Sequence, residues 1–74
     1  MNQINRRTRL LSPLSKREKQ ILDLISRGCT TKEIGEELFL SPRTVEKYRQ
    51  HMLMKSQSRN SAHLVSRAYE FGLF

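Results

Sequence analysis

The side chains with the clearest capacity for binding chemistry fall within one short stretch, residues 42–56. Four long side chains recur there at intervals of four, three and four residues: Arg43, Lys47, Gln50 and Met54. In a helix this spacing puts them on one side. Arg and Lys donate hydrogen bonds to guanine O6 and N7, and a Gln amide pairs with adenine N6 and N7. This side of the predicted helix therefore suits the base-pair edges of a DNA major groove.

The remaining residues of this helix form a flank and an inward side. Glu46 and His51 flank the polar side. The opposite side is predicted to face a core, and it holds Val45, Tyr48, Met52 and Ser56. A solvated charged face is the ordinary interpretation of a polar side on an isolated helix. Here a short preceding helix, a tight turn and a helix restart at Ser41-Pro42 occur together, and this combination favours recognition of DNA.

Capping signals predict two helices before this one. Ser15 and Glu18 form a capping box, and Gly28 ends the helix that follows. Thr30 and Thr31 then cap a second, short helix, with Glu33 in its first turn. Apolar residues follow each cap at helical spacing: Ile21, Leu22, Leu24 and Ile25 in the first helix, and Ile34 and Leu38 in the second.

The third helix is predicted to run from Pro42 to about Ser56, and a fourth from about Ser61 to Phe71, with Gly72 after it. The second and third helices are separated by only a few residues, as in a helix-turn-helix. Gly35 lies inside the second helix, where glycine costs about 1 kcal/mol relative to alanine. We expect a close backbone approach between the two helices at this position to require its small size.

Composition agrees with an all-α fold, a four-helix bundle containing a helix-turn-helix. The 74 residues allow one domain, with 36% hydrophobic residues, no Trp and three Gly. Fourteen Lys and Arg against seven Asp and Glu give a net charge of +7. Such a positive field favours polyanionic partners, and double-stranded DNA is the predicted one.

Other classes of protein find little support in the sequence. His51 and His63 are far apart, and there are no paired carboxylates, metal-ligand spacing or phosphate-binding glycine loop, so we expect no enzyme, no cofactor and no small-molecule ligand. One cysteine, Cys29, fits a reducing compartment. The apolar run needed for a signal peptide or a membrane span is also missing, so we expect a cytoplasmic protein without membrane contact.

Residues 1–12 are expected to form a basic flexible arm or the end of a linker, and residues 13–74 the domain. Arg6, Arg7 and Arg9 in the arm either add DNA contacts or belong to a solvated tail. Met1 and the absence of a receiver or ligand domain favour a stand-alone regulator, and a fragment of a longer regulator is the alternative.

Over Leu14 to Phe74 the sequence resembles the LuxR/FixJ (NarL-type) DNA-binding domain. The likeness is carried by the run LSKREKQILDLISRGCTTKEIGEELFLSPRTVEKYRQHMLMK. The characteristic positions include Leu14, Arg17-Glu18, Gly28, Lys32-Glu33-Ile34, Leu38, Ser41, Thr44-Val45 and Lys55. The resemblance implies a bacterial transcription regulator with a third helix in the major groove and a dimer formed through the last helix.

The resemblance also implies roles for single residues. Glu46, Lys47 and Gln50 would face bases, and the helical spacing independently selects the last two. Phosphate contacts, which fix the register of a protein on DNA, would come from Thr31, Lys32, Thr44 and Lys55.

The sequence departs from the family pattern at several positions. The family usually has Lys at the position of Glu46 and His at that of Tyr48, so base preference does not transfer from relatives. A glutamate here would accept a hydrogen bond from cytosine N4 or repel phosphate. Ser56, Ser58 and Ser61 replace larger residues, which predicts loose packing at the corner between the third and fourth helices.

The fourth helix carries two apolar strips. Leu64, Ala68 and Phe71 are predicted to reach the core, and a second strip contains Ala62, Val65 and Tyr69. A homodimer partner would cover the second strip, although scattered surface residues are the plainer interpretation. The alternative function is a protein-interaction module that pairs with another regulator or with RNA polymerase.

Overall fold

The computed structural model describes residues 14–70 and 72. The predicted basic arm, the predicted start of the domain at Pro13 and the predicted core residue Phe71 lie outside the described residues. The described part of the chain contains four helices and no strand: α1 (Lys16–Ser26), α2 (Thr31–Leu38), α3 (Pro42–Ser56) and α4 (Ser61–Glu70). The predicted all-α, four-helix fold is confirmed.

Local hydrogen bonds start each of the first three helices where the sequence predicts. The Ser15 side chain accepts from the Glu18 N–H, and the Glu18 side chain accepts from the Ser15 N–H. Thr30 and Glu33 form a second capping box at the start of α2. Ser41 Oγ accepts from the Thr44 N–H at 3.1 Å, next to Pro42 at the first helical position.

The core is built from one side of each helix. The buried hydrophobic side chains are Leu14, Ile21, Leu22, Ile34, Val45, Met52, Leu53, Leu64 and Ala68. Of the predicted inward side of α3, Val45, Met52 and Ser56 are buried, and Tyr48 packs partly buried against the core. This side of α3 is therefore fixed to the domain.

The turn between α2 and α3 depends on Gly35. A Cβ at this position would lie 2.5 Å from the Leu40 carbonyl oxygen and 3.6 Å from Pro42 N. The prediction that a small residue is needed is confirmed, and the close neighbour is the connecting turn rather than the body of α3. Leu40 N–H also donates to Gly35 O at 2.8 Å, and Phe39 adopts a left-handed conformation with φ 58°. These contacts set how closely α3 follows α2.

The corner between α3 and α4 is bound together, so the prediction of loose packing is wrong. Ser56 is fully buried, its Oγ donates to Met52 O at 2.8 Å, and it lies 2.6 Å from Ser58 Oγ. Arg49 Nη1 donates to Ser61 Oγ at 2.9 Å. The small serines thus replace apolar packing with hydrogen bonds.

Among the described residues, the longest helix has 15 residues, and none is long and apolar enough to cross a membrane.

Candidate nucleic-acid interface

The outer side of α3 is the candidate interface, and its side chains are uncovered. Arg43, Lys47 and Gln50 are exposed, and Met54 is 76% exposed. Together with Glu46 and His51 they line one shallow groove along the helix. The structure thus brings all five predicted base-facing residues into a single surface. This arrangement can present hydrogen-bond donors and one apolar group to a ligand that lies along α3.

Glu46 is engaged by its own helix. Its Oε1 accepts from Arg49 Nε at 3.1 Å, and its Oε2 accepts from Arg49 Nη2 and from Gln50 Nε2, the latter at 3.0 Å. The hydrogen bonds from Arg49 and Gln50 hold the pKa of Glu46 below its usual value. The negative charge that the sequence puts on this face is therefore paired with Arg49 and orders the Gln50 side chain.

A second carboxylate, Glu18, lies under one edge of α3. Its side chain is 2% exposed, and Oε1 accepts from the Ser15 N–H at 2.8 Å and from Lys55 Nζ at 2.7 Å. His51 Nδ1 lies 3.3 Å from Oε2. Burial acts to raise the pKa of Glu18, but the hydrogen bonds from Lys55 and Ser15 and the nearby positive charges outweigh it, so the pKa lies below its usual value.

The predicted phosphate-binding residues occupy different parts of the surface. Thr44 is half-buried and lines a second groove with Lys47, Tyr48 and His51, beside the first. Lys55 is half-buried on the same edge of α3, where it binds Glu18. Thr31 and Lys32 instead lie in the first turn of α2, and Lys32 lines a depression around the turn.

The second apolar strip of α4 is only partly available at the surface. Ala62 is exposed and Tyr69 is 64% exposed, whereas Val65 is half-buried and packs against the core. Leu64 and Ala68 are fully buried as predicted. Two residues of the predicted dimer surface are therefore exposed, and the third is shared with the core.

The family of bacterial regulatory proteins named luxR matches residues 12–68 of the chain. The chain belongs to the luxR family. The predicted family is confirmed.

Longer regulators contain similar segments. The chain is 46% identical over 55 residues to the oxygen regulatory protein NreC of Staphylococcus carnosus, covering 74% of the chain and 25% of that protein. It is 38% identical over 63 residues to the transcriptional regulatory protein DesR of Bacillus subtilis, covering 85% of the chain and 32% of that protein. The crystal structure of full-length FixJ from B. japonicum matches with a TM-score of 0.75 and 33% identity, over 99% of the chain and 34% of FixJ. The chain thus spans about a quarter to a third of these relatives.

Sequence reasoning missed two residues that organise the interface of this luxR-family domain. Arg49, which binds both Glu46 and Ser61, was assigned no role, although its spacing of three residues from Glu46 is a signal for an ion pair along a helix. Glu18 was expected only to cap the first helix. Its contacts with His51 and Lys55 join residues 33 and 37 positions apart, and no local pattern reports such contacts.

Proposed function

We propose that this luxR-family domain, extending over residues 13–74, binds double-stranded DNA sequence-specifically and regulates transcription, with α3 in the major groove. One observation carries the proposal: α3 is buried along one side at Val45 and Met52 and exposed along the other at Lys47 and Gln50. A helix fixed in this way presents its polar side in one orientation, as readout of base edges requires.

Direct base contacts are assigned to the exposed groove residues. Lys47 and Arg43 would donate to guanine, Met54 would give apolar contact to a thymine methyl group, and Gln50 would address adenine. The Glu46 carboxylate can only accept, so Gln50 Nε2 faces it, and Gln50 Oε1 and one N–H remain for a base. For Glu46 we therefore propose that it orients Gln50 and does not itself contact a base.

Phosphate contacts are assigned to two helix starts and one edge of α3. Thr31 and Lys32 lie in the first turn of α2 and Thr44 in the first turn of α3, where the helix dipole favours an anion. Lys55 lies on the same edge of α3 as Thr44 and has part of its charge balanced by Glu18. Such contacts would fix the register of α3 without reading sequence.

A homodimer is part of the same proposal. The exposed Ala62 and Tyr69, with the half-buried Val65, would form a twofold contact through α4. Two α3 helices would then enter half-sites about one helical turn of DNA apart. Because the chain spans only part of its relatives, we propose this role either for a stand-alone regulator or for the DNA-binding end of a longer one.

One observation favours the second candidate, a module that contacts a protein such as RNA polymerase. Phe39 is 94% exposed at the turn between α2 and α3, beside Lys32 and Leu40. A large apolar side chain held in solvent is a common feature of protein-interaction surfaces. This contact is compatible with DNA binding through α3, since Phe39 does not line the α3 groove.

A charge reversal on α3 tests the proposed function. Binding sites would first be selected from random duplexes with the wild-type chain, and affinity for the selected site would be compared for Lys47→Glu and Lys19→Glu. Both changes lower the net charge equally, but Lys19 is an exposed residue of α1 outside the groove. We expect Lys47→Glu to weaken specific binding by about 10- to 100-fold.

The affinity of the control variant Lys19→Glu for the selected site should change little, because a single distant charge is screened at physiological salt. If no sequence is enriched from the random duplexes, or if both variants lose affinity equally, sequence readout by α3 is rejected. If Lys47→Glu leaves transcription regulation unchanged and the variant still captures its partner protein, the interaction module is supported.

A further inference from the structure

His51 lies between the buried Glu18 and the surface proposed to face DNA. Its side chain is 63% exposed, and it lines both grooves of α3, one with Gln50 and Met54 and the other with Thr44. Thr44, His51 and Lys55 are spaced by seven and four residues, which puts them on one edge of α3. His51 is therefore placed among the proposed phosphate contacts.

The two ring nitrogens of His51 have different surroundings. Nδ1 is 3.3 Å from Glu18 Oε2, which is ion-pair distance, and within the described residues this buried oxygen has no hydrogen-bond partner. Because a carboxylate can only accept, a hydrogen bond between the two groups requires the hydrogen to be on Nδ1. Nε2 is then the nitrogen left for a ligand on the outer side of α3.

A phosphate oxygen at Nε2 would require a different protonation state of the His51 ring. Phosphate, like carboxylate, only accepts hydrogen bonds, so an imidazole between Glu18 and a phosphate must carry hydrogens on both nitrogens. That form is the imidazolium cation, and the additional proton comes from the solvent. Histidine is the side chain that gains or loses this proton between about pH 5 and 8.

Charged groups from α1 and α3 surround His51. From α1 it faces the Glu18 carboxylate, and on α3 its charged neighbours are Lys47 in both grooves and Lys55 on the shared carboxylate. Arg43 and the Arg49-paired Glu46 line the same groove at greater spacing along the helix. A phosphate at Nε2 would add a second anion beside the ring, on the side opposite Glu18.

We propose that His51 is a proton-coupled phosphate contact, with Nδ1 facing Glu18 Oε2 and Nε2 bound to the DNA backbone. This inference rests on the proposed function, because it places a duplex against α3. It adds that binding takes up a proton at each subunit. DNA affinity then falls as the pH rises through the range in which histidine titrates, by at most about tenfold per pH unit and subunit.

The test compares pH profiles at constant salt. Affinity for one selected duplex would be measured from about pH 5.5 to about pH 8.5 for wild type, His51→Gln and His63→Gln. Gln keeps a hydrogen-bond donor but does not titrate. His63 is the other histidine of the chain. Its Nδ1 accepts a hydrogen bond from the Arg59 N–H at the start of α4, away from the α3 grooves. We expect a pH slope in wild type and His63→Gln, and its loss in His51→Gln.

A second measurement needs no substitution. Calorimetric titration of wild-type protein with the same duplex, in buffers of different ionisation enthalpy, reports protons taken up on binding, and we expect net uptake at about pH 7. Equal slopes in wild type and His51→Gln, or no proton uptake, would overturn the inference while leaving DNA binding in place. Absence of specific binding at every pH would instead reject the proposed function.

Discussion

At the residue scale, Glu18 joins the start of α1 to one edge of α3. Its Oε1 accepts from Ser15 N–H and Lys55 Nζ, and its Oε2 faces His51. A buried carboxylate is stable only when such donors surround it, since an unpaired buried charge is costly. The same donors hold its pKa below the usual value, so the ionised form belongs to the folded state.

Glu18→Gln should lower the free energy of unfolding by about 2–3 kcal/mol at pH 7, because Gln keeps the cap but loses the ion pairs. A lowered folded-state pKa means that this contribution is complete above the usual value of 4.5 and is lost as the pH falls through the folded-state value. The difference between wild type and variant should therefore shrink below about pH 4. Urea unfolding of wild type and variant at about pH 7 and below about pH 4 measures this difference. A difference that stays constant would show that the Glu18 charge does not stabilise the fold.

At the scale of elements, α3 is oriented by a tight turn before it and a hydrogen-bonded corner after it. The turn relies on Gly35 against the Leu40 carbonyl, and the corner on Arg49 between Glu46 and Ser61. Both ends are held by backbone proximity or hydrogen bonds, whereas apolar packing holds the middle of the helix. The orientation of the exposed side of α3 is thus fixed at both ends and in the middle of the helix.

Gly35→Ala should destabilise the domain by about 1–3 kcal/mol, because its Cβ would overlap the Leu40 carbonyl oxygen and force the turn open. The opening would also tilt α3, so we expect DNA affinity to fall in conditions where the variant is still folded. Glu37→Ala, at an exposed position of the same helix, is the control and should change stability by less than about 0.5 kcal/mol. Thermal unfolding followed by circular dichroism compares the two, and equal stabilities would contradict the role of the close approach.

The sequence predicts the elements well because their signals are local. Ser15 with Glu18 and Ser41 with Pro42 lie within a few residues of each other, and the structure forms both caps. The packing of the corner could not be predicted from the same signals. A serine is a poor core residue by type, and only the structure shows that the Ser56 hydroxyl donates to Met52 O. In the candidate site, spacing predicted which side of α3 is exposed, but the engagement of Glu46 by Arg49 depends on side-chain conformations that spacing leaves open.

At the scale of the whole molecule, the proposed DNA face and the proposed dimer contact lie on different helices. The chain carries a net charge of +7, and cations and donors lie along the outer side of α3. Ala62 and Tyr69, the exposed residues of the proposed dimer contact, lie on α4. A positive field draws a duplex toward the molecule at long range, whereas an apolar contact acts only between surfaces that touch. This separation allows DNA binding and pairing with a second copy to take place together.

The proposed dimer makes a prediction that separates it from binding by single copies. Tyr69→Asp puts a charge into the α4 contact, so affinity for a duplex with two half-sites about 10 bp apart should fall at least about tenfold. Affinity for a duplex with one half-site should change little, because Tyr69 lies on α4, outside the α3 groove. Fluorescence anisotropy with both duplexes measures this, and Glu70→Gln, at the neighbouring exposed position, is the control. Equal losses on the two duplexes would place the effect in folding or direct DNA contact and remove the argument for a dimer through α4.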